Sequence, residues 1–268
     1  MAQRLVPAAE GRVVKGVDRR AVLGLAVAVG AGALAACSPD SQPTTTESAP
    51  SISDPPPDAA MPDTAPPASG GLQVVESGWS HEAKENGRVR SYGVIVENTS
   101  DRVAFQTTAE VRFIDAAGND AMDPSGSFLD GRVTVVRPGE RIGFGATFLA
   151  DGDAATKMEV ALTTAEWWAE DNTALEFAAI TVGDVATDRS HPPKQLMFAV
   201  TSGYTENLTS TRAAAVFRNA DGKIVGGATA PGPSPLPSGR SEGSITVEYG
   251  IPLSADPATI EVYVPVLT

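Results

Sequence analysis

Few side chains in this sequence could act as nucleophiles, general bases or soft metal ligands. The chain has one cysteine, Cys37, and two histidines, His81 and His191. Residues 239–243 read Gly-Arg-Ser-Glu-Gly, the Gly-x-Ser-x-Gly spacing of hydrolases whose serine stands on a tight strand-to-helix turn. Here the segment is a turn into a predicted strand, and both histidines precede Ser241. We therefore predict that the protein is not an enzyme, with a hydrolase using Ser241 or a carboxylate pair as the alternative.

Oxygen atoms that could bind a metal ion cluster in one predicted loop, at Asp115, Asn119, Asp120 and Asp123. Calcium prefers carboxylate and amide oxygens, and loops at one end of a β-sandwich could supply them. The spacing is not that of an EF-hand, and Asp and Asn are also common turn residues. We therefore predict solvated turns and no cofactor, with calcium binding as the alternative.

The apolar residues before Cys37 predict export. Residues 21–36 are mostly alanine, glycine, valine and leucine, and a basic segment precedes them. At about 16 residues this run is shorter than the roughly 20 that a membrane-spanning helix needs, and it ends in small residues typical of a cleavage site. The run is therefore interpreted as a cleaved signal, and an ordinary transmembrane anchor is the alternative.

The end of this run has a more specific pattern. Residues 34–37, Leu-Ala-Ala-Cys, resemble the lipobox of bacterial lipoproteins. The resemblance implies that residues 1–37 form a lipoprotein signal peptide and that Cys37 is diacylated on its thiol. The mature chain is then expected to be lipid-anchored in the cell membrane, on its extracytoplasmic face.

Two adjacent arginines near the start of the chain suggest an export route. Residues 18–23, Asp-Arg-Arg-Ala-Val-Leu, resemble a twin-arginine signal, a route that exports proteins already folded. A long basic segment and a weakly apolar run fit that route. The resemblance assigns Arg19 and Arg20 to the export signal, and the general secretory route is the alternative.

The chain beyond the signal is strongly acidic. The whole sequence has 20 basic and 33 acidic side chains, of which 5 and 2 lie in residues 1–37, so 15 and 31 remain, with a formal charge of −16. Nucleic acids need basic patches that displace counterions, so we expect no nucleic-acid partner. The same charge favours cations and basic partners.

Residues 38–70 differ in composition from the rest of the mature chain. They are rich in proline, serine and threonine and almost free of aromatic and large aliphatic residues. Such a segment cannot bury enough apolar surface to offset its ordering entropy, and where it is polyproline-like it extends by about 3.1 Å per residue. We predict a disordered tether through the cell envelope, with an unselected spacer as the alternative.

From Leu72 onward the sequence has the texture of β-strands. Residues 104–113 alternate between side chains expected to face inward and polar ones, which is typical of a half-buried strand. The same order of strands and turns recurs about 100 residues later. The pattern predicts an all-β chain with two tandem antiparallel β-sandwiches, at residues 71–170 and 171–268.

Three segments of the first half share a distinctive turn chemistry. Residues 94–100, 111–118 and 137–140 read Val-Ile-Val-Glu-Asn-Thr-Ser, Val-Arg-Phe-Ile-Asp-Ala-Ala-Gly and Arg-Pro-Gly-Glu. Together they resemble the FxLYD-type immunoglobulin-like domains of bacterial surface proteins, and the second half matches more loosely. The resemblance implies an immunoglobulin-like topology and a noncatalytic extracellular module.

Trp167 and Trp168 lie at the predicted junction of the two halves. Neighbours in a strand point to opposite faces, so either one of them is exposed or the pair lies on a short helical turn. They are interpreted as packing the seam between the halves, and a platform for a partner or sugar is the alternative. The sequence thus predicts a binding or scaffolding module for an envelope protein or polymer of unknown identity, with a solute-binding receptor as a further alternative.

Overall fold

The computed structural model describes residues 65–84, 87–121, 131–150, 155–171 and 176–267, which belong to one compact unit. The predictions made for Arg19, Arg20 and Cys37, and for the tether as far as residue 64, lie outside the described residues. Within the described ranges, no helix is both long enough and apolar enough to cross a membrane.

The described chain is all-β, which confirms the predicted fold class. Its one helical segment among these residues is a short 3₁₀ turn at Pro257–Thr259. The strands are β1 Leu72–Lys84, β2 Gly87–Asn98, β3 Val103–Asp115, β4 Gly131–Val136, β5 Arg141–Ala150, β6 Ala155–Trp168, β7 Ile180–Thr187, β8 Gln195–Ser202, β9 Arg212–Arg218, β10 Ile224–Pro231, β11 Gly239–Thr246 and β12 Glu261–Tyr263.

Hydrogen bonds join these strands into four antiparallel sheets of three strands each. The first half holds the sheets β1-β2-β5 and β4-β3-β6, and the second half holds β11-β8-β7 and β10-β9-β12. In both halves the chain changes sheet at the same points, after the second, fourth and fifth strands. The two halves are therefore β-sandwiches with the same strand order.

Strand β3 shows why this sequence forms half-buried strands. The side chains of Ala109, Val111 and Phe113 are buried, whereas those of Glu110 and Arg112 between them are exposed. This alternation confirms the period of two predicted from the sequence. Burying one large apolar side chain stabilises the fold by about 1.5–3 kcal/mol, so the register is fixed by which face meets the core.

Each sandwich has a core of its own between its two sheets. In the first, Val94 of β2 and Val111 of β3 belong to one buried cluster. In the second, Val200 of β8 and Phe217 of β9 do the same. Two sheets that enclose one apolar layer are the ordinary way in which an antiparallel sandwich buries one face of each sheet.

The two sandwiches also pack against each other through one sheet of each. These inner sheets are β1-β2-β5 and β10-β9-β12, and β4-β3-β6 and β11-β8-β7 are the outer sheets. Ile95 of β2 forms a buried cluster with Val216 and Ile224 from the second sandwich. Ala214 of β9 belongs to the core cluster of the first sandwich. The described chain is therefore a stack of four sheets.

Glycines let the two inner sheets approach closely. A Cβ atom on Gly93 would meet the carbonyl oxygen of Gly226, and one on Gly227 would lie 2.7 Å from the carbonyl oxygen of Tyr92. A Cβ on Gly143 would enter the ring of Tyr263. Glycine within a strand often marks such an approach of another backbone, because any side chain would push the sheets apart.

Hydroxyl groups supply hydrogen bonds across this contact. Thr147 Oγ1 donates to the carbonyl oxygen of Gly227 at 2.9 Å, and the Gly227 N–H donates to Ser91 Oγ at 3.1 Å. Thr229 Oγ1 returns a bond to the carbonyl oxygen of Gly145 at 2.7 Å. These bonds satisfy polar groups that burial would otherwise leave without partners.

An ionic network closes one side of the same contact. Glu76 of β1 accepts from Arg218 Nη1 at 2.5 Å and from Arg141 Nη2 at 2.7 Å. Arg218 also pairs through Nε with Glu261 at 2.5 Å, and 14% of its side chain is exposed. The hydrogen bond that Arg218 donates to Glu76 raises the pKa of Arg218 and lowers the pKa of Glu76. Both groups are therefore held in their charged forms.

Candidate functional site: a groove where the sandwiches meet

A groove runs along the junction of the two sandwiches. There β4 of the first sandwich meets the segment before β7 and the segment after β8 of the second. It has two chambers, with volumes of about 80 Å³ and about 230 Å³. Val135, Tyr204 and Val266 line both of them. Val135 belongs to the first sandwich and the other two to the second, so the groove exists only because the sandwiches are joined.

The first chamber, of about 80 Å³, is the more polar one. Arg137, Glu140 and Arg141 line it from the first sandwich, and Tyr263 lines it from the second. Glu140 Oε2 accepts from the backbone N–H of Arg137 at 2.8 Å and lies 3.6 Å from its Nε. Arg141 pairs instead with Glu76, and Arg137 Nε is buried with no hydrogen-bond partner among the described residues.

Tyr204 separates the two chambers and is itself 6% exposed. Its backbone N–H donates to Ser202 Oγ at 3.3 Å. The backbone N–H of the preceding residue, Gly203, donates to the carbonyl oxygen of Ala179 at 2.8 Å. Burial raises the pKa of Tyr204, so the phenol stays neutral and polar at physiological pH. It provides a fixed wall with one polar atom.

The second chamber, of about 230 Å³, has apolar walls and an acidic rim. Val135, Phe177, Leu208 and Val266 supply apolar surface, and Glu176 and Glu206 supply carboxylates. The Glu176 carboxylate accepts from the backbone N–H of Thr205 at 3.0 Å and from its Oγ1 at 2.9 Å. One carboxylate of the rim is therefore fixed in place, and the exposed Glu206 stands beside it.

Trp167 and Trp168 both lie in β6, so the predicted alternative of a helical turn is wrong. Trp167 packs on the core of the first sandwich. Trp168 packs at 5.5 Å, between ring centroids, on Phe105, in a cluster that also includes Phe177. The same cluster contains Val135 and Phe177, two residues that line the second chamber. Glycines make the close approach between the inner sheets.

The predicted calcium loop is a hydrogen-bonded turn. Asp115 Oδ1 accepts from the backbone N–H groups of Ala117 and Asn119, each at 2.8 Å. These bonds lower the pKa of Asp115. Asp120 instead lies 3.7 Å from Arg112, and Asp123 lies outside the described residues. Asn219 in the second half accepts the equivalent two bonds, at 3.1 and 2.9 Å.

Ser241 lies inside strand β11, where it pairs with Val200 of β8. The segment is extended from Gly239 to Thr246, whereas a nucleophile elbow needs a turn between a strand and a helix. Ser241 is half-buried, between the exposed Arg240 and Glu242. Its surroundings are those of a strand residue near a sandwich core.

A third cavity, of about 450 Å³, lies beside the ends of β9 and β10. Its hydroxyl groups already donate to the chain, since Thr211 Oγ1 bonds to the carbonyl oxygen of Pro233 at 2.6 Å and Ser234 Oγ to that of Thr209 at 2.7 Å. Arg212 is its one cation among the described residues. The cavity is open and offers a ligand few free donors.

Arg90 is a buried cation that sequence reasoning missed. It is 2% exposed, and its guanidinium carbon lies 4.8 Å from the ring centre of Phe113 and 5.7 Å from that of Trp79. Its Nε has no hydrogen-bond partner in the described part of the chain, and burial lowers its pKa. The aromatic rings offset part of the cost of burying this charge. Nothing in the spacing of Arg88 and Arg90 distinguishes the buried residue from the half-exposed one.

Neither protein-family models nor curated proteins gave a match to this sequence.

Proposed function

We propose that this chain is a lipid-anchored extracytoplasmic binding or scaffolding module that presents the groove between its two sandwiches to an envelope protein or polymer. The observation that carries the proposal is the contact between the inner sheets. Glycine-to-backbone packing and the hydroxyl and ionic bonds hold the two halves in one arrangement. A groove with fixed walls loses little entropy when it binds, so it suits recognition.

The anchoring part of the proposal rests on the sequence. The pattern at residues 34–37 supports a diacylated Cys37, and the acidic, proline-rich segment after it supports a tether between membrane and sandwiches. Substitution Cys37→Ser is expected to move the protein from the membrane fraction to the soluble fraction. Mass spectrometry of the terminal peptide is expected to show two acyl chains on the unsubstituted protein. An unmodified Cys37 would contradict the anchor.

The binding part of the proposal is tested by photo-crosslinking on intact cells. A photoreactive amino acid at the exposed Asn207, on the rim of the second chamber, is expected to give one dominant adduct that Cys37→Ser abolishes. The same probe at Glu242, on the outer sheet of the second sandwich, is the matched control. Equal adducts at both positions, or none at Asn207, would contradict a groove that binds a partner.

A further inference from the structure

We infer that the second chamber binds a lysine or arginine side chain of a partner protein, with the aliphatic stem between the apolar walls and the cationic head at Glu176 and Glu206. This inference rests on the proposed function and specifies its ligand chemistry. Long basic side chains bury their stems along apolar surface while the charge stays at the solvent edge. The chamber has that arrangement, because its lining includes the half-buried Phe177 and Leu208 and the exposed Glu176 and Glu206.

The charges around the chamber favour a cation over an anion. Of the described residues that line it, two are carboxylates and none is Lys, Arg or His. Arg137, a cation that lines the first chamber beyond Tyr204, has its Nε 3.6 Å from Glu140 Oε2. An ammonium or guanidinium head at the rim would therefore meet two negative charges and no opposing positive one.

The fixed carboxylate adds direction to this attraction. Glu176 is held by Thr205, whose backbone N–H bonds both carboxylate oxygens and whose hydroxyl group bonds Oε2. Oε1 accepts one of these bonds and keeps a lone pair for a further donor. Phe177 follows Glu176 in the sequence and lines the same chamber. An aromatic side chain beside a carboxylate offers apolar surface to the stem of a cationic side chain.

The chain cannot supply this ligand from its own tether. Residues 38–64 contain five acidic side chains, Asp40, Glu47, Asp54, Asp58 and Asp63, and no Lys or Arg. A tether of that charge is repelled by the rim. The strongly negative formal charge of the mature chain also favours encounters with basic partners.

The test uses two small probes on the full lipidated chain in detergent micelles. One is Nα-acetyl-lysine methylamide, and the other is its norleucine counterpart, which has the stem without the ammonium group. Carbon–proton NMR of the methyl groups is expected to show saturable shifts at Leu208 and Val266 with the lysine probe. Losing a partly exposed ion pair changes affinity only modestly, so the norleucine probe is expected to bind about two- to fivefold more weakly.

Two variants localise the effect. Glu206 is exposed, so Glu206→Gln is expected to leave the fold intact and to weaken the lysine probe about two- to fivefold while the norleucine probe is unchanged. Glu242→Gln, an equal change on the outer sheet, is expected to change neither. Equal binding of both probes, shifts spread over the whole surface, or indifference to Glu206→Gln would overturn the inference.

The inference and the proposed function fail separately. If crosslinking from residue 207 captures a partner but the lysine probe does not bind the chamber, the module remains and the cationic ligand is wrong. If the probe binds as expected and no partner is captured on cells, the pocket chemistry remains and the envelope-binding role is wrong.

Discussion

The inner and outer sheets of this protein share the same strand pattern but lie in different surroundings. The inner sheet β1-β2-β5 of the first sandwich and the outer sheet β11-β8-β7 of the second have the same strand order. The sheet β1-β2-β5 is covered by the second sandwich, whereas the outer face of β11-β8-β7 is free of contact with other described parts of the chain. When the two sheets are aligned by their strand pairings, four glycines of the covered sheet correspond to larger residues of the free sheet. Gly78, Gly93, Gly143 and Gly145 correspond, in that order, to Ala186, Met197, Glu242 and Ser244.

The other pair of equivalent sheets differs in the same sense. Counted from the matching turns at Asp115 and Asn219, the exposed Glu110 and Arg112 of β3 correspond to Ala214 and Val216 of β9. The side chains that face the cores keep their apolar character in both halves. The repeat thus specifies the sandwich through its inward residues and the stacking of sandwiches through its outward ones.

The largest expected effect comes from filling the covered face. Gly93→Val would drive a branched side chain into the backbone of Gly226, so we expect a loss of about 3 kcal/mol in the free energy of unfolding. Gly183, in β7 of the free sheet, has nothing within 4 Å of a Cβ atom, so Gly183→Val is the matched control. Urea denaturation measures both. Equal losses would show that strand glycines matter here for reasons other than the contact.

The ionic network gives the next effect. Arg218→Ala would leave Glu76 and Glu261 without their shared partner at the edge of the covered face, and we expect a loss of about 2 kcal/mol. Arg240→Ala removes an exposed pair with Asp184 on the free sheet, and its cost is expected to be within about 0.5 kcal/mol. Similar losses from the two variants would contradict a structural role for the network.

Much of the fold could be predicted because strand periodicity is a local signal. The alternation in residues 107–113 is enough to assign the faces of that part of β3, and the turns at Asp115 and Asn219 are visible as Asx-type turn sequences. The predicted face of Phe105 is wrong, because beside Gln106, whose φ is 51°, Phe105 lies in a separate cluster with Val103 and Val135. Gly143 and Gly145 have no such local reading, because a glycine in a strand indicates a bulge, a bend or a close backbone equally well. Only the three-dimensional contact distinguishes these.

The candidate site was harder to predict than the fold. Its walls come from residues as far apart in sequence as Val135 and Val266. The sequence pointed instead to Trp168, which packs on the cluster that contains Val135 and is not among the residues that line the chamber. Glu176 and Glu206 have no motif, because two carboxylates in an acidic chain are ordinary until the fold brings them to one rim. The acidic charge of the mature sequence favours cations and basic partners but does not indicate where one would bind.

A smaller effect is expected from acid. In the folded chain the pKa of Glu76 is lowered from its ordinary value of about 4.5, chiefly by the hydrogen bond from Arg218. Its stabilisation is therefore present above that pH and is lost as the pH falls through the lowered pKa.

Measurement of the unfolding free energy between pH 6 and pH 3 separates this contribution. Since 39% of the Glu76 side chain is exposed, solvent screening reduces the contribution of Glu76 to the free energy of unfolding to about 0.5 kcal/mol. Glu76→Gln is expected to lose less stability than the unsubstituted chain over this range, and the difference is expected to shrink in the Arg218→Ala background. A difference of the opposite sign would contradict the assignment.

The smallest effect on stability is expected on the free outer sheet. Glu110→Ala with Arg112→Val copies the covered face of β9 onto β3. It removes exposed interactions of Arg112, with Asp120 at 3.7 Å and with Glu159 across the sheet, so we expect a change within about 0.5 kcal/mol. Stacking of two copies through this altered face would also need a glycine-lined sheet opposite it. The other outer sheet, β11-β8-β7, has Met197 and Glu242 where the covered sheet has glycines. The double variant is therefore expected to sediment like the unsubstituted chain at equal concentration. Concentration-dependent association would show that the outward charges of β3 alone prevent the sheet β4-β3-β6 from stacking. The glycines would then set how closely two sheets approach, without deciding which sheets stack.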